Sequence, residues 1–338
     1  MNFGRKMKVI KYGIFSIAIS WLLSSCATLG MNSKSESIEV ERNVFTNLPG
    51  SNGSVLAVKF DDTNNAHPQQ GVEFADVVFV TQVEAGLTRL MGIYSSKYPE
   101  LLGPVRSARI SDLDILEQFG RVGFLYSGAQ SKLRPVIAQA NLENLSAERN
   151  GPEIYFNTPE RNAPYAMMVR PNLLLEKASD LSTAQSVGWE HGEKSKFAKR
   201  ITEAKVTWPN AEYGIKWSKK EHRFLLTHNN RSNVSTTGKQ LGSPMMVIQQ
   251  IEITPSEYGD RFGGITPKSH VVGSGVAYLL RNGSVTKVNW NRPSAAAPTT
   301  WTLQDGNTAY FAPGQVWFFL TDQEPSFTYP IKKKAGSN

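Results

Sequence analysis

Gly103-Pro104-Val105-Arg106-Ser107-Ala108-Arg109, continued by Ile110-Ser111-Asp112, is the stretch on which the reading of this chain turns. The Gly-Pro pair ends an extended run, because proline fixes φ and the chain bends there. A helix is expected near Ser111, with Ser111 as its cap and Asp114 three residues on, as in a capping box. Leu113, Leu116 and Phe119 would share its buried face. Arg106 and Arg109 thus arrive just before a helix N-terminus, where free backbone N–H groups and the dipole favour anions. Upstream, the run from Thr81 to Arg89 supplies one carboxylate, Glu84, and a third guanidinium, Arg89.

Working outward, the runs at 55–60, 76–84, 87–94 and 122–126 read as strands, the last buried by its near-continuous apolarity. Residues 133–140 read as a helix, and Pro171 opens another. Strands alternating with helices predict an α+β chain whose first part, residues 54–190, is a mixed α/β domain. Residues 179–204 are polar and charged, and the junction is placed there. The rest, 191–330, is a series of short apolar runs separated by Gly-bearing turns, which predicts a smaller, mainly β domain. Arg281-Asn282-Gly283 and Gln304-Asp305-Gly306 both carry the type I′ hairpin signal.

The candidate site gathers Asp61, Asp62, Glu84, Arg89, Arg106, Ser107 and Arg109 in one cleft. Three guanidiniums suit bidentate recognition of a carboxylate or phosphate. The carboxylates would order a sugar by hydrogen bonds, or serve as acid and base. The plainer alternative is that Glu84 pairs with Arg106 or Arg109 while Asp61 or Asp62 caps a turn, with no ligand. The loop 157–165 either rims the cleft with Arg161 and Tyr165 or is a surface connection. Trp290 beside Arg292 would stack a sugar or pack on its own sheet.

Other chemistry is sparse. No G-x-S-x-G elbow and no H-E-x-x-H motif occur, and the isolated glycines at 263–264 and 273–275 make no dinucleotide loop, so no cofactor is expected. The five His are dispersed; His222 and His228 are read as surface, and no metal site is expected. The 338-residue chain carries a formal charge of +8, and four of its cations, Arg5, Lys6, Lys8 and Lys11, lie in the first 25 residues, where there are no acids. No basic stripe or nucleic-acid motif remains, so no nucleic-acid partner is expected.

Those four cations precede an apolar run, 14–23, too short for a comfortable membrane span but right for the core of a signal peptide, 1–25. It ends in Leu23-Ser24-Ser25-Cys26, the pattern of a bacterial lipobox. Cys26, the chain's one cysteine, would then be diacylated, and two acyl chains make a stable anchor. Residues 26–53, rich in Ser, Asn, Glu and Gly, would be a flexible tether. The expected address is the extracytoplasmic face of the cell membrane, with the lipid anchor as membrane contact and a cell-wall polymer or envelope protein as partner. The Lys-rich tail from Ile331 would be solvated, or would touch anionic wall polymer or lipid head groups.

The segments Ala57-Val-Lys-Phe-Asp61, His67-Pro-Gln-Gln-Gly71, Val83-Glu-Ala-Gly-Leu-Thr-Arg89, Gly103-Pro-Val-Arg-Ser-Ala-Arg109 and Ser127-Gly-Ala resemble the YerB-like lipoprotein family. Val271-Val-Gly-Ser-Gly, Asn289-Trp-Asn-Arg-Pro293 and Ala312-Pro-Gly resemble its C-terminal domain. The resemblance implies a lipid-anchored or secreted envelope protein with two family domains, and a place more than a reaction. The family tends to have Asn at Asp62, Arg at His67, Gly at Ala85 and His-Asn at Tyr165-Ala166, so any His-dependent chemistry of that last pair is lost here. Three functions follow: a module binding an anionic or carbohydrate ligand, a wall-glycan hydrolase or transferase using Glu84 and an Asp, or a structural assembly protein.

Overall fold

Every residue of the first strand, β1 (Leu56–Asp61), is buried, and its alternate side chains enter two different cores. Leu56, Val58 and Phe60 point into one and Ala57 into the other. Successive strand side chains face opposite ways, and here both faces are covered, which is why the strands read as continuous apolar runs. The structure, a computed structural model, describes residues 40–260 and 263–331. The signal peptide, Cys26, the tether up to residue 39 and the tail from 332 lie outside the described residues.

After β1 come β2 (Val77–Gln82), β3 (Thr88–Tyr94), α1 (Ile110–Glu117), β4 (Val122–Leu125), α2 (Arg134–Gln139), β5 (Leu142–Asn144), β6 (Tyr155–Asn157), β7 (Met167–Val169) and α3 (Pro171–Leu175). The second half is β throughout: β8 (Lys199–Arg200), β9 (Glu203–Trp208), β10 (Ala211–Ser218), β11 (Arg223–His228), β12 (Arg231–Ser232), β13 (Gly242–Ser243), β14 (Met245–Gln250), β15 (Glu252–Gly259), β16 (Ile265–His270), β17 (Gly273–Arg281), β18 (Ser284–Arg292), β19 (Thr300–Thr302), β20 (Val316–Thr321) and β21 (Ser326–Thr328). The architecture is two-domain and mostly β, with few helices.

The halves are not separate sheets. One sheet runs β19-β18-β17-β14-β20-β2-β3-β1-β4-β5, with β8 beside β18. The join is β20 against β2, parallel, with Val77 opposite Val316 and Val80 opposite Phe319. α2 is the crossover between parallel β4 and β5, the connection such a pair needs. A second sheet, β12-β11-β10-β9-β21 with β13 beside β11, covers one face. It alternates buried residues with half-buried or exposed ones, as a half-solvated sheet must. Trp208 Nε1 donates to Leu320 O at 2.8 Å, and Tyr213 packs edge-on to Phe319. The β15–β16 ribbon pairs with neither sheet.

Several local expectations shift. α1 is capped two residues early, at Arg109: Asp112 accepts the Arg109 N–H at 2.7 Å. Ser111 is buried instead, accepting the Ser269 N–H at 2.9 Å and donating to Pro267 O, so it ties α1 to β16. Ile115 takes the core place expected for Leu113, which is half-buried. The run 245–253 divides at Ile251 into β14 and β15. Asn282 and Gly283 both have positive φ, the type I′ geometry, whereas in 304–306 only Gly306 does. Residues 43–46, placed in the tether, are packed: Phe45 is fully buried edge-on to Phe119, and Asn43 Nδ2 donates to Ser95 Oγ at 2.8 Å. Trp189, inside the expected junction, stacks on Phe311.

Candidate functional site

β1, β2 and β4 end at the same edge of the main sheet, and β3 begins there. Loops at the carboxyl ends of parallel strands are where open α/β sheets hold ligands. A cleft of about 1040 Å³ lies at this edge. Six of the seven expected residues line it: Asp61 at the end of β1, Glu84 in the turn after β2, Arg89 on β3, and Arg106, Ser107 and Arg109 before α1. Asp61 and Arg89 are direct cross-strand neighbours. The turn from Glu84 to Leu87 is tight: Gly86 has φ +65°, and a Cβ there would lie 2.5 Å from Pro209 Cβ.

The charges are partly matched. Arg106 Nε lies 2.6 Å from Asp61 Oδ2, and Arg109 Nε donates to Glu84 Oε1 at 2.6 Å. Arg89 donates to Ser107 O at 2.9 Å, and among the described residues no carboxylate lies within 4.0 Å of it. Burial, and then the charge of Arg109, bring the Arg89 guanidinium down to about 9. Burial pushes the Glu84 carboxyl up, but the hydrogen bond and charge of Arg109 outweigh it and hold Glu84 below its ordinary value. Thr266 Oγ1, from β16, also donates to Glu84. The start of α1 is less open to anions than expected, because Asp112 already occupies it.

Around this charged floor the walls carry two further carboxylates, Glu148, which pairs with Arg134, and Asp260, among neutral groups. Ser107 Oγ faces Ser127 Oγ at 3.4 Å. Tyr165 joins the lining with its ring 5.9 Å from the Arg106 guanidinium carbon, and the ribbon adds Tyr258 and Thr266. The ribbon's part was missed, since residues 254–270 carry no motif; the polarity of Thr266 and Tyr258 was the one available signal. Arg161 does not line the cleft but donates to Ala66 O and Pro68 O. Trp290 and Arg292 are both buried, with Trp290 Nε1 on Gln250 O and Arg292 on Asp114 O, so neither stacks a ligand.

Asp62 is the seventh residue, and it faces the other way. It is buried, accepting from Thr88 Oγ1 at 2.6 Å and from Tyr213 OH at 2.9 Å, and it meets His67 and His228. His228, expected on the surface, is only 4% exposed; His222 does lie on the surface. β11 alternates inward and outward, and His228 takes an inward place.

Residues 45–184 match the family described as "Protein of unknown function (DUF3048) N-terminal domain", and residues 204–318 match its C-terminal domain. The chain belongs to the DUF3048 family. It is similar to the Bacillus subtilis (strain 168) protein named "Putative lipoprotein YerB", with 23% identity over 285 residues, covering 78% of this chain and 79% of the relative. The crystal structure of YerB protein from Bacillus subtilis has the same fold: TM-score 0.71 at 17% identity, covering 85% of this chain and 99% of that one. The DUF3048 halves thus meet within one sheet, and the N-terminal one supplies the cleft floor. No helix among the described residues is long and apolar enough to cross a membrane.

Proposed function

We propose that this protein is a lipid-anchored lipoprotein of the extracytoplasmic membrane face whose cleft binds an anionic carbohydrate of the cell envelope. The anchor rests on Leu23-Ser24-Ser25-Cys26 and on the name of the Bacillus relative. The ligand rests on one observation above the rest: Arg89, a desolvated guanidinium with no carboxylate within 4.0 Å among the described residues, on a floor of three cations and two anions with Glu148 and Asp260 on the walls. A bound carboxylate or phosphate would supply the charge-assisted hydrogen bonds that burial has taken from it. Ser107, Tyr165 and Tyr258 offer hydroxyls and rings suited to a sugar.

A glycan-cleaving role fits less well. A general acid must hold a proton near neutral pH, whereas Glu84 is held ionised and engaged by Arg109 and Thr266. A purely structural role would leave a cleft of this size unused.

Calorimetry with a soluble, peptide-free wall disaccharide bearing a free lactyl carboxylate tests the ligand, with the neutral oligosaccharide as control. The anionic fragment should bind, and Arg106→Ala should weaken it about tenfold or more. No binding by folded wild-type protein, or equal binding by the variant, defeats the proposal. For the anchor, Cys26→Ala should move the protein from the membrane to the soluble fraction; unchanged retention rejects it.

A further inference from the structure

Asp62, His67 and His228 bring their ligand atoms within 4.8 Å of one another, behind the cleft and beneath the second sheet. His67 Nε2 lies 3.2 Å from Asp62 Oδ1, and His228 Nε2 lies 3.6 Å from Asp62 Oδ2. Bonds of 2.0–2.2 Å around a tetrahedral ion place its ligands about 3.3–3.6 Å apart. We propose that these three residues form a binding site for a divalent transition cation of the zinc type.

The surroundings fit. His67 Nδ1 meets Asn233 Oδ1 at 3.1 Å. As donor to that oxygen, His67 is left with its Nε2 lone pair toward Asp62 and the Gln69 amide, which meets it at 3.3 Å and which an ion would displace. Such an outer partner fixes the tautomer of a metal-binding histidine. Thr88 and Tyr213 orient the Asp62 carboxylate in the same way. His228 Nε2 is buried and has no hydrogen-bond partner. A proton on His67 would satisfy the His67–Asp62 contact, but it leaves that second nitrogen unexplained; a shared cation accounts for both. Two imidazoles and one carboxylate are a common set for zinc and iron(II), with positions left for water. A cavity of about 190 Å³ lined by Asp62, Thr88 and His228 gives a path in. The rings stack at 4.7 Å and 17°, so closing on one ion requires each to turn about its Cβ–Cγ bond.

The test uses the full, untagged chain in detergent, stripped by chelator and titrated with cobalt(II) and zinc. Wild type should take one equivalent, with cobalt d–d bands of a nitrogen/oxygen site. His228→Gln, with an unchanged circular dichroism spectrum, should lose about a hundredfold or more in affinity, and Asn233→Ala about ten- to a hundredfold. Wild type giving no cobalt bands overturns the site without any variant. So does a folded His228→Gln protein that holds zinc as tightly as wild type.

Discussion

At the scale of single residues, the cleft combines two ion pairs of unequal burial. The Arg109–Glu84 side chains are 12% and 7% exposed, whereas Arg106 is 25% exposed. Arg109→Ala strands Glu84, and Arg106→Ala strands Asp61, which is 1% exposed, so each should cost about 3 kcal/mol in urea unfolding. Because Glu84 is held below its ordinary 4.5, its contribution is fully present above pH 4.5 and is lost as pH falls through the lower folded value. Melting temperatures taken downward from pH 6 should therefore fall more steeply for wild type than for Glu84→Gln. Ala85 sits at φ 56°, ψ 21°, a left-handed conformation costly for any residue with a Cβ. Ala85→Gly should raise stability by about 1 kcal/mol, net of the freedom gained by the unfolded chain. The charged heptad was legible in the sequence because few other stretches concentrate guanidiniums at a strand–helix junction. Asp62 was misplaced although the period of a strand argued against it: neighbours on an extended chain face opposite ways, so Asp61 and Asp62 could not both line one cleft.

At the scale of elements, α1 is held by buried polar groups more than by a broad apolar stripe. Lys59 Nζ and Asp112 Oδ1 lie 2.6 Å apart with no exposure on either side chain, and burial lowers the Lys59 pKa despite its partner. Lys59→Met alone leaves Asp112 uncompensated and should cost about 3–5 kcal/mol; adding Asp112→Leu should recover part of it. Additive losses in that cycle would show the two residues to be uncoupled. The strands were legible from their apolar runs and the Asn282-Gly283 turn from its residue types. The cap of α1 was read two residues late, because Ser111 is a good cap by type and only the β15–β16 ribbon above it decides that its hydroxyl is used elsewhere. The ribbon itself was invisible: its residues are half-exposed and polar, and its place over the cleft depends on contacts across 150 residues of chain.

At the scale of the molecule, the two DUF3048 halves are joined through β2 and β20. The edge that parting would expose, Val77, Val78, Phe79 and Val80, is apolar and fully buried. Urea unfolding followed by tryptophan fluorescence and by circular dichroism should give one coincident transition, and residues 40–190 expressed alone should aggregate or remain unfolded. A soluble, cooperatively melting fragment would show that the halves are autonomous. The sequence marked a composition change near 190 but not this union, since a strand's apolar run does not name its neighbour.

The union also sets an order of events. Synthesis proceeds from the amino end, so the strands beneath the cleft are made long before Val316–Thr321 exists to pair with them. Until residues 316–321 emerge, the early half carries a bare, sticky margin. A newborn copy must be shielded by a holding chaperone or remain extended, and a late truncation would abolish the early half along with the late one.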